Sequence, residues 1–80
     1  MSGFGQYIAR TPPDFLSKQH QLAWNGESRW RNSVGDRIYT YDRTHGHIEA
    51  YTKRGRHVGV LDIRTGEQIS DAVKGRKINV

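Results

Sequence analysis

From Asp36 to Val80, apolar and polar positions alternate in short runs broken by Gly, Asp and basic residues. Alternation of period two marks half-buried strands. It predicts strands at Asp36–Tyr41, His47–Lys53, His57–Leu61, Glu67–Ser70 and Lys74–Val80. Between them fall the turns Asp42–Gly46, Lys53–Arg56 and Asp62–Gly66. The last reads as a type I turn with Gly66 in the left-handed position of a bulge. Short strands at such close spacing imply a twisted antiparallel meander.

Before Asp36 the pattern changes. Met1–Arg10 reads as a loose arm with a short strand near Gln6–Ala9. Thr11-Pro12-Pro13-Asp14 reads as a helix start, with Thr11 as cap, Pro12 in the first turn and Asp14 three residues past the cap. Phe15, Leu16, Gln19, Leu22 and Ala23 then follow a helical stripe. The pattern predicts a helix over 11–25 that stops at Asn25-Gly26 and covers one face of the sheet, with His20 off the stripe at the surface. Glu27–Gly35 reads as a loop. Within it Trp30 either stacks on a ligand between Arg29 and Arg31 or plugs the end of a small core. The fold class is α+β, a short N-terminal helix packed on a twisted antiparallel sheet over 36–80, in one domain spanning 1–80.

Composition narrows the function classes. A chain of 80 residues buries roughly 60% of its unfolded surface, so its core is small. It has no cysteine, which excludes disulfides and thiolate metal sites. No apolar run approaches a membrane span, and no signal peptide is visible at Met1. Thirteen Lys and Arg against eight Asp and Glu give a net charge of +5, and nine of the cations are Arg. That balance suits an anionic partner, and Arg suits phosphate because its planar fork binds bidentately. A membrane surface fits least, since no basic amphipathic helix is present.

The hairpin Tyr39–Tyr51 gathers the candidate chemistry. Its second strand puts His47, Glu49, Tyr51 and Lys53 on one face and Ile48, Ala50 and Thr52 on the other. The turn delivers Asp42 and His45 beside Glu49. His45 and His47 with Glu49 or His57 invite a metal reading, but no recognised ligand spacing accompanies them, so no metal or cofactor is expected. Nucleophile-elbow and phosphate-loop patterns are absent. General acid–base chemistry remains, with Glu49 and His45 as base and acid and an Arg to stabilise charge on phosphorus. In a basic protein that set points to RNA cleavage by the neighbouring 2′-hydroxyl, a reaction DNA cannot undergo. The same residues also fit a structural role: Asp42 opening the turn, Glu49 paired with Lys53 or Arg37, His45 as an ordinary turn residue. A non-catalytic RNA- or protein-binding module is the corresponding alternative.

The run Tyr39-Thr-Tyr41-Asp42-Arg-Thr-His45-Gly46-His-Ile-Glu49-Ala-Tyr51 resembles the catalytic hairpin of the cytotoxic ribonuclease domain of the ribosome-inactivating E-group colicins and cloacin. The likeness continues through Asp36-Arg37-Ile38, His57-Val58-Gly59, Asp62, Thr65-Gly66, Gln68-Ile69 and Arg76. The resemblance implies a short helix on a highly twisted antiparallel sheet, and one cut in 16S ribosomal RNA at the decoding site. It sets the catalytic Asp, His, Glu and Arg on Asp42, His45, Glu49 and Arg76. A shift of one or two places would put Lys74 or Lys77 in the place of Arg76. Tyr39 and Tyr51 are expected to line the site; Tyr41 either joins them in stacking on bases or positioning phosphate, or belongs to the core. Lys53, Arg54, Arg56, Lys74 and Lys77 are expected to bind RNA. The resemblance further implies an acidic immunity protein and action in the cytoplasm of a target bacterium, as a secreted chain or within a larger toxin. A similar ribonuclease with tRNA or mRNA as target stays open.

Overall fold

A computed structural model describes residues 7–80. Six strands form one sheet in chain order: β1 His20–Trp24, β2 Glu27–Arg31, β3 Arg37–Asp42, β4 His47–Thr52, β5 His57–Leu61 and β6 Gln68–Asp71. Every neighbouring pair is antiparallel, so the meander expected from the alternation is present. It begins sixteen residues earlier than the pattern suggested, at His20 rather than Asp36.

The predicted helix over 11–25 is not there. Among the described residues the only helical element is a single 3-10 turn, Phe15–Lys18, and the fold is almost wholly β. Gln19 is already extended, at φ −104° and ψ 168°. The chain then enters β1, which doubles back through Asn25 (φ 51°) and Gly26 (φ 78°) into β2. Two successive residues with positive φ make a type I′ hairpin turn, whose twist matches that of the flanking strands. Asn25-Gly26 therefore joins two strands, and the apolar stripe through Leu22 and Ala23 splits into period two. Leu22 and Trp24 are half-buried and Ala23 is exposed.

Asp14, not Thr11, caps the turn. Its Oδ1 accepts the Ser17 N–H at 3.0 Å, while its own N–H donates to Ser17 Oγ at 3.1 Å. Arg10 adds two bonds to the same carboxylate, at 2.9 and 2.7 Å, and its guanidinium lies 5.0 Å from the centre of the Trp30 ring. Hydrogen bonding from Arg10 outweighs burial and holds the Asp14 carboxyl below the usual carboxylate range.

The core forms where this N-terminal turn lies on one face of the sheet. Leu16, Trp30, Tyr39, Ile48 and Ala50 are buried there, with Phe15, Tyr41, Val58, Leu61 and Ile63 packed against them. Trp30 is thus a core residue on β2, not a loop residue. The Phe15 N–H donates to the Ile63 carbonyl at 2.9 Å, and the Phe15 ring lies against Gly66. Gly66, at φ +78°, takes the left-handed position expected of it.

Two further expectations need correction. Lys74–Val80 is not a strand. After β6 the chain bulges outward through Gly75 (φ +86°) and returns along β5, meeting the sheet at an isolated bridge between Arg56 and Lys77. The strand near Gln6–Ala9 is absent over Tyr7–Ala9, where Ile8 instead donates to the Arg43 carbonyl at 2.8 Å; residues 1–6 lie outside the described residues. Among the described residues no helix is long and apolar enough to cross a membrane.

Two glycines with the same backbone twist separate strain from packing. Gly35, at φ +87°, has open space where a Cβ would stand, whereas at Gly66 that Cβ would overlap the Phe15 ring. Gly35→Ala should cost about 1–2 kcal/mol from conformation alone. Gly66→Ala should cost about 1–3 kcal/mol more from overpacking. Urea unfolding of the two variants beside the parent chain checks the difference.

Candidate active site

The face opposite the core carries the candidate side chains. In the β3–β4 register Thr40 faces Glu49, Asp42 faces His47 and Ile38 faces Tyr51. Asp42 is therefore a diagonal neighbour of Glu49, about 7–8 Å away across the ladder. The turn between these strands closes with the Gly46 N–H on the Asp42 carbonyl at 2.8 Å. That closure swings His45 back so that its Nδ1 lies 2.7 Å from Asp42 Oδ2. Asp42 Oδ1 accepts the Thr44 N–H at 3.0 Å. Partial burial works against the charged carboxylate of Asp42. The hydrogen bonds from His45 and Thr44 outweigh it and hold the group below its usual range. An ionised carboxylate only accepts, so Nδ1 of His45 carries the proton and Nε2 is turned outward on an exposed ring.

Glu49 sits at the middle of β4 with its side chain only 15% exposed. Its Oε1 takes two donors: Nε2 of His57 at 2.7 Å and Nη1 of Arg76 at 2.9 Å. His57, on β5, has a fully buried side chain. Its Nδ1 accepts the backbone N–H of Val73 at 2.8 Å, so Nε2 must be the protonated nitrogen that donates to Glu49. The two histidines thus hold opposite tautomers, each fixed by its neighbour.

A cleft of about 670 Å³ opens beside this group, lined by Arg54, Arg56, His57 and the segment 72–77, which brings Lys74, Arg76 and Lys77. A shallower depression of about 370 Å³ adjoins it through the shared Arg54 and Arg56 and adds Arg37 and Lys53. The five cations expected to bind RNA, Lys53, Arg54, Arg56, Lys74 and Lys77, therefore lie around two connected hollows. It is Arg76, not Lys74 or Lys77, that reaches Glu49. Among the described residues no three His, Asp or Glu side chains gather as metal ligands.

The tyrosines divide. Tyr51 lies on the Glu49 side, buried, with its ring edge-on to His57 at 5.3 Å. Burial and the nearby Glu49 charge push its phenol above the ordinary value, so it stays a neutral O–H. Tyr39 does not line the site. It pairs with Ala50 and Trp30, faces the core, and meets Phe15 edge-on at 5.4 Å. Of the two alternatives for Tyr41 the core one holds: it packs against the core, and its hydroxyl donates to the Ile8 carbonyl at 2.6 Å.

His57 is the residue that sequence reasoning missed as a partner of Glu49. Its one visible signal was period two: it opens a strand beside the one bearing Glu49.

Residues 17–79 match the protein family described as Cytotoxic. The chain belongs to that family. It is 37% identical to Colicin E3 of Escherichia coli over 51 residues, or 62% of this chain, and 35% identical to Colicin-E6 of Escherichia coli over 52 residues, or 64% of this chain. Each aligned stretch is 9% of the length of the curated relative it matches. The resemblance carried by the hairpin and this membership agree.

Two measurements probe the site. Long-range 1H–15N NMR should find His45 with its proton on Nδ1 and His57 with its proton on Nε2. Asp42→Asn should release His45 into a mixture of tautomers and leave His57 unchanged. A carboxyl whose value is lowered by folding stabilises the fold above its unfolded value, and that contribution fades as pH falls through the folded one. Acid unfolding of Asp42→Asn should therefore show a shallower acid limb than the parent.

Proposed function

We propose that this chain is an endoribonuclease toxin that cuts 16S ribosomal RNA at the decoding site and so halts translation. The observation that supports it most is the contact of Glu49 with Arg76 at a cleft ringed by cations, on the sheet face that also holds the Asp42–His45 pair. A proton acceptor, a proton donor and a phosphate-stabilising cation are the parts that 2′-hydroxyl transesterification requires, and it needs no metal.

In this reading Glu49, already an acceptor, takes the proton from the 2′-hydroxyl, and that oxygen attacks the adjacent phosphorus. His45, as imidazolium, protonates the departing 5′-oxygen from its outward Nε2. Asp42 orients the ring and stabilises its charge. Arg76 stabilises the negative charge growing on the phosphorane oxygens. The products are a 2′,3′-cyclic phosphate and a 5′-hydroxyl. Arg54, Arg56, Lys74 and Lys77 hold the flanking phosphates, with Lys53 at the adjoining hollow. Tyr51, buried against His57, keeps that wall of the site rigid.

The ribosomal target follows from the likeness of the hairpin to the E-group colicin domain. The same likeness supports delivery as part of a larger toxin, action in the target cell's cytoplasm, and neutralisation by an immunity protein. The net charge of +5 makes an acidic partner the fitting one, with association slowed by salt.

Purified bacterial 70S ribosomes incubated with the protein and a chelator, followed by mapping of RNA ends, test the reading. One discrete 3′ fragment of 16S RNA that begins with a 5′-hydroxyl is expected, together with an upstream fragment that ends in a 2′,3′-cyclic phosphate. Glu49→Ala should lower its rate by roughly 10²–10⁴. Arg76→Ala should lower it on the order of 10²–10³. Intact ribosomal RNA with cut tRNA or mRNA would move the target. No cleavage of any RNA would leave a binding module.

A further inference from the structure

Arg29, on β2, is a charged side chain that the chemistry above does not use, yet it is only 5% exposed. Burying a guanidinium is costly unless its donors are met. Two of its five N–H groups are met in an instructive way. Nε donates to Glu27 Oε1 at 2.7 Å, and the guanidinium stacks 4.4 Å from the centre of the Trp24 ring. Nη1 donates to the carbonyl of Asn79 at 2.6 Å, a contact across fifty positions of the chain. Glu27 is more than half exposed, so the ion pair by itself gives no reason for the burial. The contact with Asn79 does.

Asn79 ends the segment that carries Arg76. That segment has no ladder of its own. Val73 donates to His57 Nδ1, the Arg76 carbonyl accepts the His57 N–H at 3.0 Å, and Ile78 donates to the Gly55 carbonyl at 2.9 Å. A hollow of about 340 Å³, lined by Trp24, Asn25, Glu27, Arg29, Lys77, Ile78 and Asn79, separates the β1–β2 hairpin from the segment there. Arg29 crosses that hollow, so it acts as a bridge and not as part of a packed wall. The segment also needs holding. Lys77 is brought beside Arg56 at the isolated bridge, and Lys74, Arg54 and Arg56 line the same cleft, so like charges push it away from the sheet.

We propose that Arg29 is a positioning residue for Arg76, clamping the far end of this segment so that the Arg76 guanidinium stays on Glu49. The proposal rests on the role given to Arg76 above. Releasing Asn79 leaves the Ile78–Gly55 bond as the outermost hydrogen bond of the segment, two residues from Arg76 at the turn between β4 and β5. Fraying there moves the cation away from the phosphorus it serves.

Arg29→Met and Arg29→Lys, each also combined with Arg76→Ala, test the clamp on ribosomal RNA cleavage. Arg29→Met is expected to lower kcat by about tenfold to a hundredfold, the range that small misplacements produce, with KM little changed. Arg29→Lys keeps the charge but not the fork that reaches both acceptors, so it should restore only part of the rate. In the Arg76→Ala background Arg29→Met should cause no further loss. Amide exchange gives a readout that does not depend on cleavage. The His57 and Ile78 amides of Arg29→Met should lose protection, while those of Ile48 and Ala50 keep theirs. Wild-type kcat in Arg29→Met, or the same loss in both backgrounds, would overturn the proposal. So would equal loss of protection across the whole sheet. If Arg29→Met does not fold, Arg29→Lys decides the point by the same measurements. If the parent chain cuts no RNA, the proposed function falls, and the exchange pattern alone decides whether Arg29 holds the segment.

Discussion

One carboxylate oxygen, Oε1 of Glu49, ties three parts of the chain together. β4 supplies the carboxylate, β5 supplies His57, and the irregular segment after β6 supplies Arg76. The contacts form a closed circuit, because Val73, in the same segment as Arg76, sets the tautomer of His57 through its Nδ1. The segment thus delivers one donor to Glu49 and orients the other. The His57 side chain is fully buried, so its bond to Glu49 is stronger than it would be in solvent and an unmet partner there would be costly, while Arg76 meets the same oxygen from the open side of the cleft. A group held this way keeps its geometry before any ligand arrives, which is what a site that stabilises developing charge requires.

The parts of the fold legible in the sequence were those specified locally. β3, β4 and β5 appear where alternation placed them, and the Asp62–Gly66 turn behaves as its residues dictate, with Asp62 Oδ1 accepting the N–H groups of Arg64 and Thr65. The N-terminal third was misread because two signals competed. Phe15, Leu16, Gln19, Leu22 and Ala23 fit a 3.6-residue period, and Pro12-Pro13 fits a helix start. Asn25-Gly26 flanked by apolar residues is a hairpin signal, and it won, since β1 paired with β2 joins the ladder of a six-stranded sheet, whereas a short isolated helix is marginal in water. The period match through Leu22 was accidental. Only Phe15–Lys18 keep a helical twist, and Asp14 and Ser17 cap it reciprocally.

The site shows the same division. Asp42, His45 and Glu49 were legible because one hairpin holds all three, and its turn and register are local properties. Tyr39 was misplaced by a parity that only the register reveals: it pairs with Ala50, so it shares the face of Ala50 and not that of Glu49. His57 as a partner of Glu49 was not legible, because the contact needs the β4–β5 register with its irregularity at Ala50/Tyr51 and a backbone N–H sixteen residues further on. Arg76 came into view through family likeness alone. No period or spacing foretells that a segment without a ladder will return along β5.

The charges explain why that segment is fastened so often. Arg54, Arg56, Lys74 and Lys77 line one cleft with Arg76, and among the described residues only Arg76 of these five has a carboxylate partner. Unpaired like charges gathered round a hollow repel one another, and the repulsion falls on the one wall that lacks a strand's hydrogen bonds. Four independent contacts, from His57, Gly55 and Arg29, oppose it. A polyanion in the cleft would reverse the sign of this balance. The wall is thus held against its own cations by hydrogen bonds to His57 and Gly55, by the Arg29 guanidinium on Asn79 and by the Arg76–Glu49 ion pair, so two of its fastenings are themselves made by cations.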